Sequence, residues 1–131
     1  MTVILSYQPT PEGRGALPFG FAEARMRATD VIVVADGDSA SSPDLVVDLE
    51  KARETAGAAD VAYKVLENDQ SLSHADQLID ASYDEDAELL VIGQKRRSPV
   101  GKLLTGSVVQ RVLLDAQCPV VAVKPPVRAA V

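Results

Sequence analysis

Five short apolar segments recur along the chain at intervals of roughly 30 residues, and this spacing restricts the fold more than any other feature. They are TVILSY from Thr2, DVIVVA from Asp30, DVAYKVL from Asp60, ELLVIG from Glu88 and PVVAVK from Pro119. Runs such as VIVV and LLVI are apolar at consecutive positions, which is typical of strands covered on both faces. Each segment is therefore predicted to be a strand of a sheet buried between two layers.

Helical patterns occupy the intervals between these strands. Ser42 and Pro43 supply an N-cap and a proline at the first helical position, and the helix that they begin is predicted to end near Gly57. A later helix has Ser71 or Ser73 as its cap, and the last one is closed by Pro119. The apolar stripes of these three helices are Leu45, Leu49, Ala52 and Ala56; Leu72, Ala75, Leu78, Ile79 and Tyr83; and Val108, Val109, Val112, Leu113 and Ala116.

The interval between the first two strands is less clearly helical. Pro18 and Gly20 lower the helix propensity of the segment from Gly15 to Ala28, so only its second half is expected to be helical. Strand and helix nevertheless alternate throughout, which predicts an α/β doubly wound domain with a five-stranded parallel sheet between two helix layers. For strand order 3-2-1-4-5 the ligand crevice lies between the first and fourth strands, and Gly93 ends the fourth.

Composition excludes several classes of protein. At 131 residues the chain is expected to form one domain over residues 1–126, followed by a disordered tail at 127–131. A single cysteine, Cys118, and a single histidine, His74, allow neither an internal disulfide nor a Cys/His zinc site. With no secretion leader or membrane-length apolar run, a cytoplasmic location is expected, and the net charge of −6 argues against nucleic-acid or membrane binding.

The positive charge is concentrated near the end of the fourth strand. Residues 93–131 carry seven basic side chains and one acidic side chain, whereas residues 1–92 carry 18 acidic and six basic ones. The segment GQKRRSPVGKLLTGS, from Gly93 to Ser107, contains three glycines, four cations and no acid. Since Gly106 and Ser107 open the next helix, its amides and the loop cations are predicted to bind an anionic ligand. A solvated loop that collects charge for solubility is the alternative.

The sequence does not match three better-known sites that bind nucleotides or accept phosphate. The P-loop pattern fails because Arg96 stands where its first glycine belongs and Leu103 stands where a hydroxyl should meet magnesium. The dinucleotide pattern G-x-G-x-x-G is absent after the first strand. A phosphate-receiver domain would need paired acids at the end of the first strand, where Ser6 and Tyr7 stand instead.

The chain resembles the universal stress protein family. The phosphate loop of that family has the pattern G, two residues, G, nine residues, G and S or T, which Gly93, Gly106 and Ser107 match at the right distance. The segment GSVVQRVLLDAQCPVVAVKP, from Gly106 to Pro125, is similar to the family's last helix and strand. The resemblance implies a flavodoxin-like sandwich, a homodimer paired through the last strands and, in many members, ATP or a related adenine nucleotide in the loop.

The resemblance also implies which residues bind the nucleotide. Pro9, Thr10 and Asp36 would lie against the adenine end, and Mg²⁺ is expected only together with the nucleotide. The phosphates would be held by Gly93, Arg96, Gly106, Ser107 and Val108.

Three positions depart from the family pattern. Arg96 replaces the middle glycine of the loop, Gln8 replaces an aspartate beside the adenosine, and Asp36 stands where the family often has an apolar residue near the base. Arg96 adds both a Cβ and a charge, whereas Gln8 keeps hydrogen-bonding capacity without the charge. A nucleotide-binding regulatory dimer, a dimeric interaction module that has lost its ligand and a slow ATPase therefore all stay open. The residues name no protein partner and no catalytic group.

The remaining candidates favour structural roles. The acidic run from Asp84 to Glu88 precedes the amino end of the fourth strand, opposite the crevice, and is expected to be a solvated turn. His74 has no obvious partner in the sequence and is predicted to lie in the first turn of the third helix. Cys118 is expected to be a small buried thiol. Ser107 has a second possible role as the N-cap of its own helix.

Overall fold

Strands and helices alternate along the whole described part of the chain. The computed structural model describes residues 1–95 and 106–125. Its strands are β1 (Thr2–Tyr7), β2 (Asp30–Ala35), β3 (Tyr63–Val65), β4 (Ala87–Gly93) and β5 (Val120–Val123). Its helices are α1 (Pro11–Met26), α2 (Pro43–Thr55), α3 (His74–Ser82) and α4 (Ser107–Asp115), with a short 3₁₀ helix at Gly37–Ser41.

The five strands form one parallel sheet in the order β3-β2-β1-β4-β5, as predicted. β1 is the central strand and pairs with β2 from Thr2 opposite Asp30 to Tyr7 opposite Ala35. The winding runs outward from β1 to β3 and then restarts on the other side of β1 at β4. The carboxyl ends of β1 and β4 therefore flank the point where the winding reverses, which is where doubly wound sheets bind ligands.

Alternating side chains of the strands form two apolar layers. Val3, Leu5 and Tyr7 of β1 pack with α1 and α2 on one face of the sheet. Ile4 of β1 lies on the opposite face, where Leu90 and Ile92 of β4 pack with α3 and α4. Because the side chains of a strand alternate between faces, Ser6 shares the face of Ile4. A serine therefore interrupts the apolar layer that faces α3.

The structure corrects the prediction for α1. The segment is helical from Pro11 onward, not only in its second half, and the Thr10 side chain caps it by accepting a 3.0 Å hydrogen bond from the Gly13 amide. Its glycines permit close packing, because a Cβ at Gly20 would overlap the side chain of Leu5 in β1. Burial against the sheet outweighs the low intrinsic propensity of these residues.

The other helices begin and end near the predicted positions. Ser42 caps α2 and Ser73 caps α3, while Gly57 takes the left-handed conformation just after α2. The predicted stripe of α3 is too long, because Leu72 precedes the helix and Tyr83, which is 63% exposed, follows it. β3 is also shorter than the predicted DVAYKVL segment. The predicted tail at 127–131 lies outside the described residues.

Within the described residues, no helix combines the length and the apolar character needed to cross a bilayer. Asp84, Glu85 and Asp86 are exposed in the turn before β4, as predicted for a solvated turn, and Glu88 forms a 3.1 Å ion pair with Arg27. Burial raises the pKa of the Cys118 thiol, in agreement with its prediction as a buried and unreactive group.

Candidate functional site

The carboxyl edge of the sheet between the ends of β1 and β4 is where a doubly wound sheet of this strand order places its ligand crevice. One wall is formed by the turn after β1 and the residue after β2. The other wall begins at Gly93, where β4 ends, and includes the start of α4. The predicted site residues follow β1 and β2, end β4 or begin α4, so they lie at the same edge of the sheet, with Arg96 outside the described residues.

The β1–β2 wall is joined by hydrogen bonds. The Asp36 amide donates to the Tyr7 carbonyl over 3.0 Å, and the Gln8 side-chain amide donates to the Asp36 carboxylate over 3.3 Å. Pro9 is exposed in the turn, whereas the Thr10 hydroxyl already caps α1. Asp36 therefore places a carboxylate on this wall, although the residue that follows β1 is the uncharged Gln8.

Gly93 fixes the beginning of the opposite wall. A Cβ at this position would overlap the carbonyl group of Glu12 in the first turn of α1. The backbones of β4 and α1 are therefore in direct contact with no side chain between them. The Gln94 amide extends the pairing with β5 by donating to the Val123 carbonyl over 2.8 Å.

The start of α4 differs from that of the other three helices. Thr10, Ser42 and Ser73 each cap a helix with a side-chain oxygen, and each of those helices has an acid in its first turn. α4 has Gly106 as N-cap, with no side-chain cap and no acid in its first turn. This corrects the prediction of Ser107 as a possible N-cap, because Ser107 is the first helical residue.

The start of α4 is therefore suited to bind an anion. A helix begins with backbone N–H groups that lack partners within the helix and with a partial positive charge. No described atom lies within 4 Å of where a Cβ of Gly106 would be, and Ser107 is exposed. The amides of α4 can therefore be approached closely by phosphate or carboxylate oxygens. Lys95 and Lys124, both exposed, follow β4 and β5 at the same edge.

A buried polar pair lies on the α3 side of β1, and sequence reasoning missed it. A hydrogen bond of 2.8 Å joins Ser6 Oγ to His74 Nε2, which corrects the expectation that His74 has no partner. Ser6 is 1% exposed and His74 is 7% exposed. The serine that interrupts the apolar pattern of β1 was the available signal, but its partner is 68 residues away.

The second ring nitrogen of His74 is not satisfied. Nδ1 is buried and has no hydrogen-bond partner among the residues that the structure describes. Burial lowers the pKa of His74, and the nearby Asp36 carboxylate opposes this effect in part, so the ring is neutral at pH 7. In either neutral tautomer, Nδ1 is a donor or an acceptor without a partner, which costs roughly 1–3 kcal/mol.

The Ser6–His74 pair does not form a nucleophilic site. A nucleophilic serine must reach its substrate, and Ser6 is almost fully covered. The histidine would also need a carboxylate on its other nitrogen, which has none. Among residues 1–95 and 106–125, no group of three or more metal-ligating side chains comes together.

Comparison with known proteins identifies relatives over nearly the full length. The universal stress protein family model matches residues 2–124. A universal stress protein of Mycolicibacterium smegmatis is 37% identical over 131 residues, which cover 94% of this chain and 97% of that protein. A universal stress protein of Thermus aquaticus is 28% identical over 134 residues, covering 94% of this chain and 98% of that protein.

Solved structures share the fold. A universal stress protein in complex with cAMP superposes with a TM-score of 0.70 at 18% identity, covering 96% of this chain and 98% of that one. The universal stress protein from Archaeoglobus fulgidus in complex with dAMP has a TM-score of 0.58 at 21% identity, with 92% and 94% of the two chains covered.

Proposed function

Since this chain belongs to the universal stress protein family, we propose that it binds an adenine nucleotide in the crevice between β1 and β4 and acts as a stress-response sensor. Solved proteins of the same fold are in complex with cAMP and with dAMP. Those complexes make an adenine nucleotide the first ligand to test. ATP, ADP, AMP and cAMP are the candidates.

The uncapped start of α4 is the observation that carries this proposal. The nucleotide phosphates bind the amides of Ser107 and Val108 and the hydroxyl of Ser107. Gly106 leaves room for their approach, and Gly93 sets the origin of the loop. Arg96 adds a cation that can hold a phosphate through two nitrogens.

The opposite wall receives the uncharged end of the ligand. Asp36 places a carboxylate beside Gln8, and a phosphate would be repelled there. Pro9 and Thr10 form the adjoining turn, so the adenosine lies against Pro9, Thr10 and Asp36. The charge distribution of the crevice thus orients the nucleotide along it.

The protein is proposed to bind without turnover, with Mg²⁺ present only as the companion of the nucleotide. Hydrolysis would need a general base within hydrogen-bond reach of an attacking water. Asp36, the carboxylate that follows β2, lies at the adenosine end, away from the phosphates. Phosphate release above a no-protein blank, measured at high protein concentration, would contradict this part of the proposal.

A homodimer paired through β5 is the assembly we propose. β5 is the edge strand of the sheet, and its residues Val120–Val123 are only half-buried within one chain. Leu114, at the end of α4 just before it, is 75% exposed. An apolar edge strand exposes unpaired backbone groups, which a second copy can satisfy.

Thermal unfolding with nucleotide panels tests ligand binding. The protein is melted with millimolar ATP, ADP, AMP and cAMP, and separately with inorganic phosphate and sulfate as anion controls. A ligand at 100 times its Kd adds about 2.7 kcal/mol of stability, which is a readily measured shift in Tm. A shift with an adenine nucleotide alone supports the proposal. Equal small shifts with every anion, or none, would favour the interaction module without a nucleotide.

A further inference from the structure

His74, whose Nδ1 has no hydrogen-bond partner among the described residues, lies at the edge of the sheet where we place the adenosine. In a doubly wound sheet every helix starts at the carboxyl edge, and His74 is the first residue of α3. Ser6 holds its Nε2 from β1, two residues before Gln8. Asp36, after β2, lies close enough to influence the ring electrostatically. Three elements thus bring polar groups together at one end of the crevice.

The chemistry of this end suits a heterocyclic base and not a phosphate. A neutral imidazole has no positive charge to offer an anion, and the Asp36 carboxylate repels one. A neutral ring nitrogen can, however, form one hydrogen bond with the edge of a purine, which carries both donors and acceptors. Buried polar groups in proteins are nearly always satisfied, so an orphaned one beside a ligand crevice indicates a missing partner.

We propose that His74, oriented by Ser6, is the specificity-determining residue for the base of the bound nucleotide, through a hydrogen bond from the base edge to Nδ1. This inference rests on the proposed function. Nδ1 is covered in the free chain, so a neighbouring side chain moves when the base binds. Asp36, which acts on the ring electrostatically, and Gln8, which is hydrogen-bonded to Asp36, are half-buried side chains and are the groups expected to move.

The chain contains one histidine, so the contact can be observed directly. Protein labelled with ¹⁵N-histidine is titrated with AMP and, separately, with ribose 5-phosphate, which lacks the base. Both nitrogens of His74 are followed by NMR, and binding is measured by calorimetry on the same samples. AMP is expected to shift Nδ1 more than Nε2, whereas ribose 5-phosphate should leave Nδ1 unchanged. ATP against inorganic tripolyphosphate repeats the comparison for a triphosphate ligand.

Two matched variants separate base recognition from a structural role. His74→Gln keeps a polar atom where Nε2 bonds Ser6 but removes the one at Nδ1, and His74→Asn does the reverse. The Gln variant should lose about tenfold in affinity for AMP, the usual effect of one lost hydrogen bond, with unchanged affinity for ribose 5-phosphate. The Asn variant should keep most of the preference for AMP.

The outcomes distinguish a failure of the proposed role of His74 from a failure of the proposed nucleotide binding. If AMP and ATP bind to the parent protein but Nδ1 does not shift, or if both variants lose affinity for AMP and ribose 5-phosphate equally, His74 is a structural residue and this inference is wrong. If no nucleotide binds to the parent protein, the proposed function fails, and the role of His74 fails with it.

Discussion

The replacement Gly106→Asp should make the protein more stable and at the same time prevent nucleotide binding. Gly106 has φ −61° and ψ 158°, a conformation that any residue can adopt, and the described part of the structure leaves room for a Cβ. Aspartate is among the best N-cap residues, so it would supply the side-chain cap that α4 lacks. The same carboxylate would occupy the position at which we place a phosphate.

The expected gain in stability is the sum of three small effects. Capping contributes a few tenths of a kcal/mol relative to glycine. The negative charge at a helix start contributes about 0.3–1 kcal/mol, and removing glycine from the unfolded chain contributes about 0.4–1 kcal/mol. The total is about 1–2 kcal/mol, which corresponds to an increase in Tm of about 4–6 °C for a domain of this size.

Gly106→Asn is the matched control, because asparagine caps a helix as well as aspartate but carries no charge. Both variants are melted with and without the nucleotide that stabilises the parent. The Asp variant should show a higher Tm without ligand and no ligand-induced shift, and the Asn variant should show a higher Tm and a reduced shift. An Asp variant that keeps the full nucleotide-induced shift would refute phosphate binding at α4. An Asp variant without added stability would refute the view that α4 lacks a cap.

Four further outcomes follow from the structure. Gly93→Ala should cost about 1–3 kcal/mol in urea unfolding, because its Cβ would overlap the Glu12 carbonyl. Stability should fall as the pH drops below 6.5, because the unfolded chain binds a proton that the lowered pKa of buried His74 keeps off the folded one. The part of the fall that begins near pH 6.5 should be missing in His74→Gln, whereas the loss at lower pH from carboxylates with a lowered pKa, such as Asp69 and Asp76, should remain. Burial and a hydrogen bond to a carboxylate raise the pKa of Tyr7 to about 12. The protonated phenol therefore stabilises the fold below pH 10, and this stabilisation is lost as the pH rises towards 12. Tyr7→Phe should reduce the loss of stability at alkaline pH. Ala122→Pro should convert a dimer into a folded monomer in sedimentation experiments.

Controls for these changes are available in the same elements. Gly15→Ala should not destabilise the fold, because among the described residues its Cβ would meet Pro125 alone, at an ordinary 3.8 Å. The carbonyls of Pro119 and Val123 accept hydrogen bonds from β4. Alternate residues of a strand direct their backbone groups to opposite neighbours, so the amide of Ala122 faces the open edge. Val121→Pro should therefore unfold the edge strand itself. A parent protein that sediments as a monomer at micromolar concentration would exclude the dimer.

The strands could be predicted because their signal is local, whereas their order is what the resemblance to the family implies. The predicted bounds of β1 and β2 agree with the structure, since consecutive β-branched residues specify a doubly covered strand with little help from other elements. α1 could not be predicted in full, because its glycines lower the local propensity and are explained only by packing against β1 and β4. Helix propensity describes an isolated segment, whereas these glycines are explained by contacts with neighbours that the local sequence does not reveal.

The candidate site was predictable to a similar extent. Gly106 and Gly93 could be placed because they lie at the ends of recognisable elements. The Ser6–His74 hydrogen bond and the Gln8–Asp36 hydrogen bond could not, because each joins side chains that are far apart in sequence. In both cases one partner was visible as an unusual residue at its position, but the pairing depends on the register of the sheet and the position of α3.

The direct contact between Gly93 and Glu12 has a mechanical consequence. Side chains between packed elements can absorb a small displacement by changing rotamer, but here backbone meets backbone. A movement of the end of β4 must therefore displace α1 as a whole. α1 has 16 residues and is about 24 Å long, so its far end at Met26 lies at the opposite edge of the sheet. A ligand that shifts the loop origin by a few tenths of an ångström would thus change the position of a surface on the far side of the molecule.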